Sequence, residues 1–228
     1  MDKKQSAGIA AASLVTNGMT VGLGTGSTVL HVIKELKRRH DDEGLEFIAV
    51  PSSFPTRLLC IENGFEYRDL CDVDKLDIAF DGCDRVDDNL NVIKGGGAAQ
   101  TVEKVFACMA DKFVIVADDS KYVRTLSGDV DVPVEVIECA WRSVQASLDK
   151  LGYESKLRNA GKKDGLVITD NGNIVLDIRL KGDEDLLALN NAVTLLPGVL
   201  EIGIFIGIAD CAYVGTDNGC KIIYKNLH

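Results

Sequence analysis

Histidine is scarce in this chain: there are three in 228 residues, at positions 31, 40 and 228, and no two are clustered. Histidine-based acid–base chemistry and a histidine-ligated metal are therefore not expected. The seven cysteines (60, 71, 83, 108, 139, 211 and 220) form no Cys-x-x-Cys pair and have no histidine at metal-ligand spacing. Odd in number and mostly in apolar surroundings, they read as reduced thiols of a cytoplasmic protein and not as a disulfide framework. No apolar run reaches the roughly 18 residues needed to cross a bilayer. Residues 1–15, MDKKQSAGIAAASLV, lack a long apolar stretch and a cleavage site, so no signal peptide is expected. Basic residues are outnumbered 25 to 35, for a formal charge of −10. A diffuse acidic surface repels nucleic acid and anionic lipid, and neither is expected as a partner. An anionic metabolite would need a local basic or N–H-rich site. Internal repeats and low-complexity tracts are absent too.

What is present is an ordinary globular composition, 46% hydrophobic and 26% charged with four prolines, in a chain long enough to bury a substantial core. Residues 2–15 read as an amphipathic helix ended by Asn17-Gly18. A short strand at 20–23 runs into Gly24-Thr25-Gly26-Ser27-Thr28. A helix then reaches about residue 39, with Val29, Val32, Ile33 and Leu36 at helical spacing. Strand, glycine-rich turn and helix form an anion site, because glycines let amides approach and the helix N-terminus favours negative charge. Ser27 stands where a P-loop needs lysine, and the third glycine of a dinucleotide fingerprint is missing. A monophosphate is the better ligand, with a plain tight turn as the alternative.

Further strands are predicted at 45–50, 76–80 and 113–117, separated by helices at about 53–63 and 98–110. From about residue 130 the order becomes β-α-β-β-β-α. It includes a hairpin, 167–169 with 173–178, turned on Asn171-Gly172, and a helix over 183–195. The end, 199–208, 211–215 and 221–224, returns to short strands. The expectation is an α/β fold with a smaller inserted α+β subdomain, divided as 1–129 plus 199–228 and 130–198.

The chain is organised around residues 81–104, DGCDRVDDNLNVIKGGGAAQTVEK. Asp81 sits at the carboxyl end of a strand, where ligands bind in open parallel sheets. Asp84, Lys94, Gly95-Gly96-Gly97 and Glu103 follow. Carboxylates and an ammonium around a flexible loop suit proton transfer on a small polar substrate. The bland alternative is a solvated acidic turn and a plain glycine connector. Convergence with the 24–28 turn on the same sheet edge favours a site, and Lys121, after the next strand, adds a phosphate counter-charge.

Seven motifs, in order and at the right spacing, resemble the A-type ribose-5-phosphate isomerase family: GLGTGST (22–28), DGCD (81–84), IKGGGAA (93–99) with EK at 103–104, VADDSK (116–121), VPVEVI (132–137), TDNGN (169–173) and LPGV (196–199). The resemblance implies a doubly wound, mostly parallel, Rossmann-like sheet with a ferredoxin-like subdomain. It also implies interconversion of ribose 5-phosphate and ribulose 5-phosphate without metal or organic cofactor, in the pentose phosphate pathway, by a homodimer or higher homo-oligomer. By position, Glu103 is the base moving a proton between C2 and C1. Asp81, Asp84 and Lys94 surround the sugar oxygens, with Gly82, Cys83 and Gly95 to Gly97 beside them. Thr25, Gly26, Ser27, Thr28 and Lys121 hold the phosphate and flanking hydroxyls. Three positions depart from the family: Cys83 replaces alanine, Arg85 replaces an acid, and Val102 stands where an arginine usually precedes the glutamate. The alternatives are a non-catalytic sugar-phosphate sensor, against which the retained Glu103 argues, and an amino-sugar phosphate deaminase, whose histidine equipment is not evident here.

Overall fold

Short apolar strands whose residues are buried on both faces need cover on both sides, which is the condition for a central parallel sheet. The computed structural model describes residues 2–126, 130–161 and 164–225 and has this arrangement. His228 and the expected boundary at residue 129 lie outside the described residues.

The first half runs α1 (Lys3–Ala12), β1 (Thr20–Leu23), α2 (Val29–Glu43), β2 (Ile48–Pro51), α3 (Phe54–Glu62) and β3 (Ile78–Asp81). Gly44 closes α2 in the left-handed region at φ 71°, and the Ser53 hydroxyl caps α3 by accepting from the Thr56 N–H. Next come β4 (Arg85–Val86), β5 (Val92–Ile93), α4 (Gln100–Cys108) and β6 (Phe113–Asp118). The second half adds β7 (Asp131–Val136), α5 (Trp141–Lys150), β8 (Ser155–Leu157), β9 (Ile174–Arg179), α6 (Leu186–Thr194), β10 (Val199–Ile202), β11 (Ile204–Phe205), β12 (Cys211–Thr216) and β13 (Gly219–Tyr224).

The main sheet has the order β13-β12-β6-β3-β1-β2, parallel throughout except for the antiparallel edge strand β13. Val21, Leu23, Ile78, Phe80, Val114 and Val116 face α1 and α2, while Ala79, Phe113 and Ile115 face Phe106 of α4. A smaller antiparallel sheet, β10-β7-β9-β8, packs one face against α5 and α6. A three-stranded sheet, β11-β5-β4, joins the two regions.

Three local readings change. Val199–Ile202, expected to begin the return to the main sheet, instead pairs antiparallel with β7, so the small sheet extends past residue 198. The first arm of the 167–178 hairpin is reduced to an isolated bridge, Ile168 with Ile174, although the Gly172 N–H closes the expected turn on the Thr169 carbonyl. The acidic turn is not solvated: Asp81 and Asp87 are buried, and Asp87 accepts from the N–H groups of Asn89 and Asn91.

Phe106 fills the space over Gly22, where an added Cβ would lie 2.6 Å from its ring. Truncation to alanine leaves a cavity at the centre of the molecule. Phe106→Ala is expected to lower unfolding stability by about 3–5 kcal/mol, read from the denaturation midpoint.

Candidate active site

Because β1, β3 and β6 are parallel neighbours, the turns after them open on one edge of the sheet. Asp81 closes β3 and is fully buried. Its Oδ1 accepts from the N–H of Gly82 at 2.7 Å and of Thr25 at 3.3 Å, tying this strand end to the 24–28 turn. The approach requires glycine at 24, where a Cβ would stand 2.3 Å from that oxygen. On the other side, Asp81 Oδ2 lies 3.0 Å from Lys94 Nζ.

Lys94, delivered just after β5, is 3% exposed. Its ammonium donates to the Gly82 carbonyl at 2.6 Å and stands 3.5 Å from Glu103 Oε1. Glu103 occupies the first turn of α4, where the helix favours a carboxylate, and its Oε2 is buried without a hydrogen-bond partner. Gly95, at φ 97°, lets the chain turn from Lys94 toward the helix in a conformation that favours glycine. The Gly96 N–H donates to Asp84 Oδ2 at 2.8 Å, and a Cβ on Gly96 would sit 2.7 Å from the other Asp84 oxygen.

Burial pushes the Glu103 carboxyl up from its ordinary 4.5 to about 7; Lys94 pulls the other way and Asp81 adds to the rise. Burial works against the Lys94 charge, but Asp81 and Glu103 outweigh it and raise its pKa. The site therefore holds a permanent ammonium beside a carboxyl that titrates near neutrality. Burial also pushes the Cys83 thiol up to about 12, so it stays protonated.

A cavity of about 290 Å³ opens over these groups. Apart from Asp81, every expected site residue lines it: Thr25 to Thr28, Gly82 to Asp84, Lys94 to Gly97, Glu103 and Lys121. Asp81 stands behind the wall and touches Lys94 in place of the cavity. The Thr25 hydroxyl is turned toward α3, 2.7 Å from Ser53 Oγ and 3.2 Å from Thr56 Oγ1. Ser27 Oγ instead accepts from Lys4 Nζ at 2.9 Å. Lys4 was not anticipated, since nothing in the sequence distinguishes it from a solvent-facing lysine of α1. Asp118, also missed, lines the cavity 3.9 Å from Lys4. Burial opposes the Asp118 charge, but bonds from Ser120 and the nearby Lys4 and Lys121 hold its pKa below the ordinary value.

Two departures find their places. Arg85 donates to the Asp84 carbonyl at 2.9 Å. Val102 lines a separate groove with Pro51, Phe54, Arg57 and Leu70, so an arginine at 102 would start from outside the cavity wall. Among the described residues, no three His, Cys, Asp or Glu side chains come together as metal ligands.

The family model of ribose 5-phosphate isomerase A (phosphoriboisomerase A) matches residues 48–219. Proteins named ribose-5-phosphate isomerase A from Methanosarcina acetivorans and Methanothermobacter thermautotrophicus are 48% and 44% identical over 224 and 223 residues. Each alignment covers 98% of this chain, and 94% and 98% of the respective relative. The solved structure of ribose 5-phosphate isomerase A from Methanocaldococcus jannaschii superimposes with a TM-score of 0.92 at 39% identity, covering 98% of this chain and 99% of that one. A D-ribose-5-phosphate isomerase solved in complex with phospho-erythronic acid gives 0.94 at 38%, covering 98% and 100%.

Proposed function

This chain belongs to the ribose 5-phosphate isomerase A family, and on that premise we propose that Glu103 is the base of its reaction and the 24–28 turn its phosphate anchor. The enzyme interconverts D-ribose 5-phosphate and D-ribulose 5-phosphate. The observation that carries the site assignment is the unpartnered Glu103 Oε2, buried beside Lys94 in a cavity also lined by Ser27, Thr28, Lys4 and Lys121.

In the open-chain aldose, the Glu103 carboxylate removes the C2 proton. Electron density moves to the carbonyl oxygen O1 to form an enediolate, the O2 hydroxyl proton passes to O1, and the same carboxyl returns its proton to C1 as C2–O2 becomes the carbonyl. Lys94 and the glycine-loop amides stabilise the developing oxyanion, being charged and oriented before the reaction begins. Asp84, facing the cavity, exchanges a proton with the ring oxygen during opening. Asp81 acts from behind by holding Lys94 charged. Ser27, Thr28, Lys4 and Lys121 receive the phosphate, fixing C1 and C2 against Glu103 by binding energy remote from the reacting carbons.

A coupled assay of the purified protein on ribose 5-phosphate tests this reading; turnover is expected to be unchanged by a chelator, and loss of turnover on chelation would refute the metal-free chemistry. Because the base must be ionised, kcat/KM is expected to climb with pH toward about 7 and level above it. A profile flat from pH 5 to 9 would reject Glu103 as the titrating group. Ribose without phosphate forfeits several charge-assisted hydrogen bonds, each worth about 1.5–3 kcal/mol, so its kcat/KM is expected to be lower by roughly 10³-fold or more. Equal rates on both sugars would reject the anchor.

We also infer that the protein works in the cytoplasm, within the pentose phosphate pathway, as a homodimer or higher homo-oligomer. Free, scattered cysteines support a reducing compartment. The division into a catalytic unit, 1–129 with 199–228, and a small unit, 130–198, is supported by the two separate sheets, with the adjustment that β10 goes with the small one.

A further inference from the structure

The small sheet reaches the catalytic helix through a side chain that the reaction itself does not use. In β7, Val132, Val134 and Val136 face the small core. Pro133 and Glu135 alternate onto the opposite face, toward the glycine loop and α4; Pro133 lies where a Cβ on Gly95 would meet it at 2.6 Å. Glu135 is fully buried. Its Oε1 accepts from the Thr169 hydroxyl at 2.7 Å, Asn173 Nδ2 at 2.9 Å and Asn171 Nδ2 at 3.1 Å, and its Oε2 accepts from the Thr101 hydroxyl of α4. The TDNGN turn thus serves as a donor set for one carboxylate.

We propose that Glu135 is a positioning residue for the isomerisation: it anchors α4 to the small sheet through Thr101 and so fixes where Glu103 stands. The proposal rests on Glu103 being the base. A buried carboxylate with neutral partners is costly compared with an apolar side chain of similar volume, so stability alone is a poor reason to place one here. Geometry supplies a better one. Thr101 and Glu103, two residues apart, lie on opposed flanks of the helix, one toward the small sheet and the other toward the cavity. One turn on, Lys104 donates to Glu201 Oε1 at 2.7 Å and to the Ile202 carbonyl at 2.9 Å, a second tether on the Thr101 flank. Arg158, paired with Asp177, holds the Gly95 carbonyl at 2.7 Å, fastening the loop that enters the helix. Two tethers on one flank resist rotation about the helix axis. At the 5–6 Å radius of a helix with its side chains, roughly 10° of rotation moves a carboxylate by about 1 Å, a displacement that can cost on the order of 10²-fold in rate.

The test is steady-state kinetics on Thr101→Val, which removes the hydroxyl at nearly constant volume, with Thr101→Ser as the conservative rescue and Glu135→Gln as an independent break. Thr101→Val and Glu135→Gln are expected to lose roughly 10- to 100-fold in kcat with KM for ribose 5-phosphate within about threefold, while Thr101→Ser recovers most of the rate. If Glu135→Gln does not fold, the Thr101 pair decides. Wild-type kcat in Thr101→Val would overturn the proposal. So would a Thr101→Ser variant as slow as Thr101→Val, or losses appearing as raised KM with lowered melting temperature, which would make the network merely structural. Glu103→Gln in the same assay separates the two claims: if it turns over normally the base assignment falls, whereas an inactive Glu103→Gln beside a fully active Thr101→Val removes the tether alone.

Discussion

Glu103→Gln is expected to lower kcat by about 10³–10⁴-fold, the upper part of the range for general-base catalysis, while KM for ribose 5-phosphate stays within a few-fold. Glutamine preserves size and one acceptor oxygen but cannot take a proton. In the proposed mechanism the same carboxyl serves both C2 and C1, so both half-reactions are expected to lose their catalyst together. Binding is expected to be spared because the proposed phosphate contacts, Ser27, Thr28, Lys4 and Lys121, are cavity-lining residues other than Glu103. A stability signature accompanies the kinetic one. The folded-state pKa of Glu103 is raised from 4.5 to about 7, so the folded protein holds a proton there that the unfolded chain releases. Its contribution is most favourable below pH 4.5 and is lost as pH rises through about 7. The glutamine variant carries no such loss. It is expected to melt above the wild type at pH 8, the gap closing as pH falls toward 4.5. Near-normal turnover in Glu103→Gln would remove the base from this site.

Much of this arrangement could be read from residue patterns because it rests on local rules. Strand Thr20–Leu23, its glycine turn and the helix after it follow from alternation, turn chemistry and 3.6-residue spacing. Parallel strand order then sends the 24–28 and 82–84 turns and Lys121 to one edge. What escaped depended on contacts between distant segments. Lys4 reaches Ser27 from a helix whose placement across the sheet no local pattern specifies. β4, β5 and β11 are two residues each, too short to show a period. Pro197-Gly198 looks like the end of a unit, yet the strand after it turns back onto β7. Asp81, which the family resemblance places at the sugar oxygens, has Oδ1 against two N–H groups and Oδ2 3.0 Å from Lys94, an arrangement that depends on three segments distant in sequence. Glu135 lies within the VPVEVI motif, but an acid in a strand reads as solvent-facing until the opposite face is seen to be covered by α4, so its role was not legible.

The buried Asp81–Lys94 pair leads to a prediction that separates stability from catalysis. Lys94→Met keeps an unbranched side chain, one atom shorter, and removes the ammonium and its charge. Asp81, fully buried, then has no cation, and the Gly82 carbonyl loses its donor. Breaking a buried pair by removing one partner costs about 3–5 kcal/mol, a loss to be read from chemical denaturation. Losing the ammonium also removes the group that pulls the Glu103 pKa down, so in any residual activity the acid limb moves above 7. Adding Asp81→Asn removes the stranded charge while keeping Oδ1 as the acceptor for the Gly82 and Thr25 N–H groups. The double variant is expected to regain most of the lost stability, since replacing both members of a buried pair is often close to neutral. It is not expected to regain turnover. The enediolate still lacks its counter-charge, a deficit of roughly 10²–10³-fold by analogy with removal of an oxyanion-stabilising donor. If Lys94→Met unfolds at the same denaturant concentration as the wild type, Asp81 and Lys94 do not depend on each other as their 3.0 Å contact implies. If the double variant recovers both stability and rate, the ammonium is a structural counter-ion and the oxyanion is held by the backbone amides of the glycine loop.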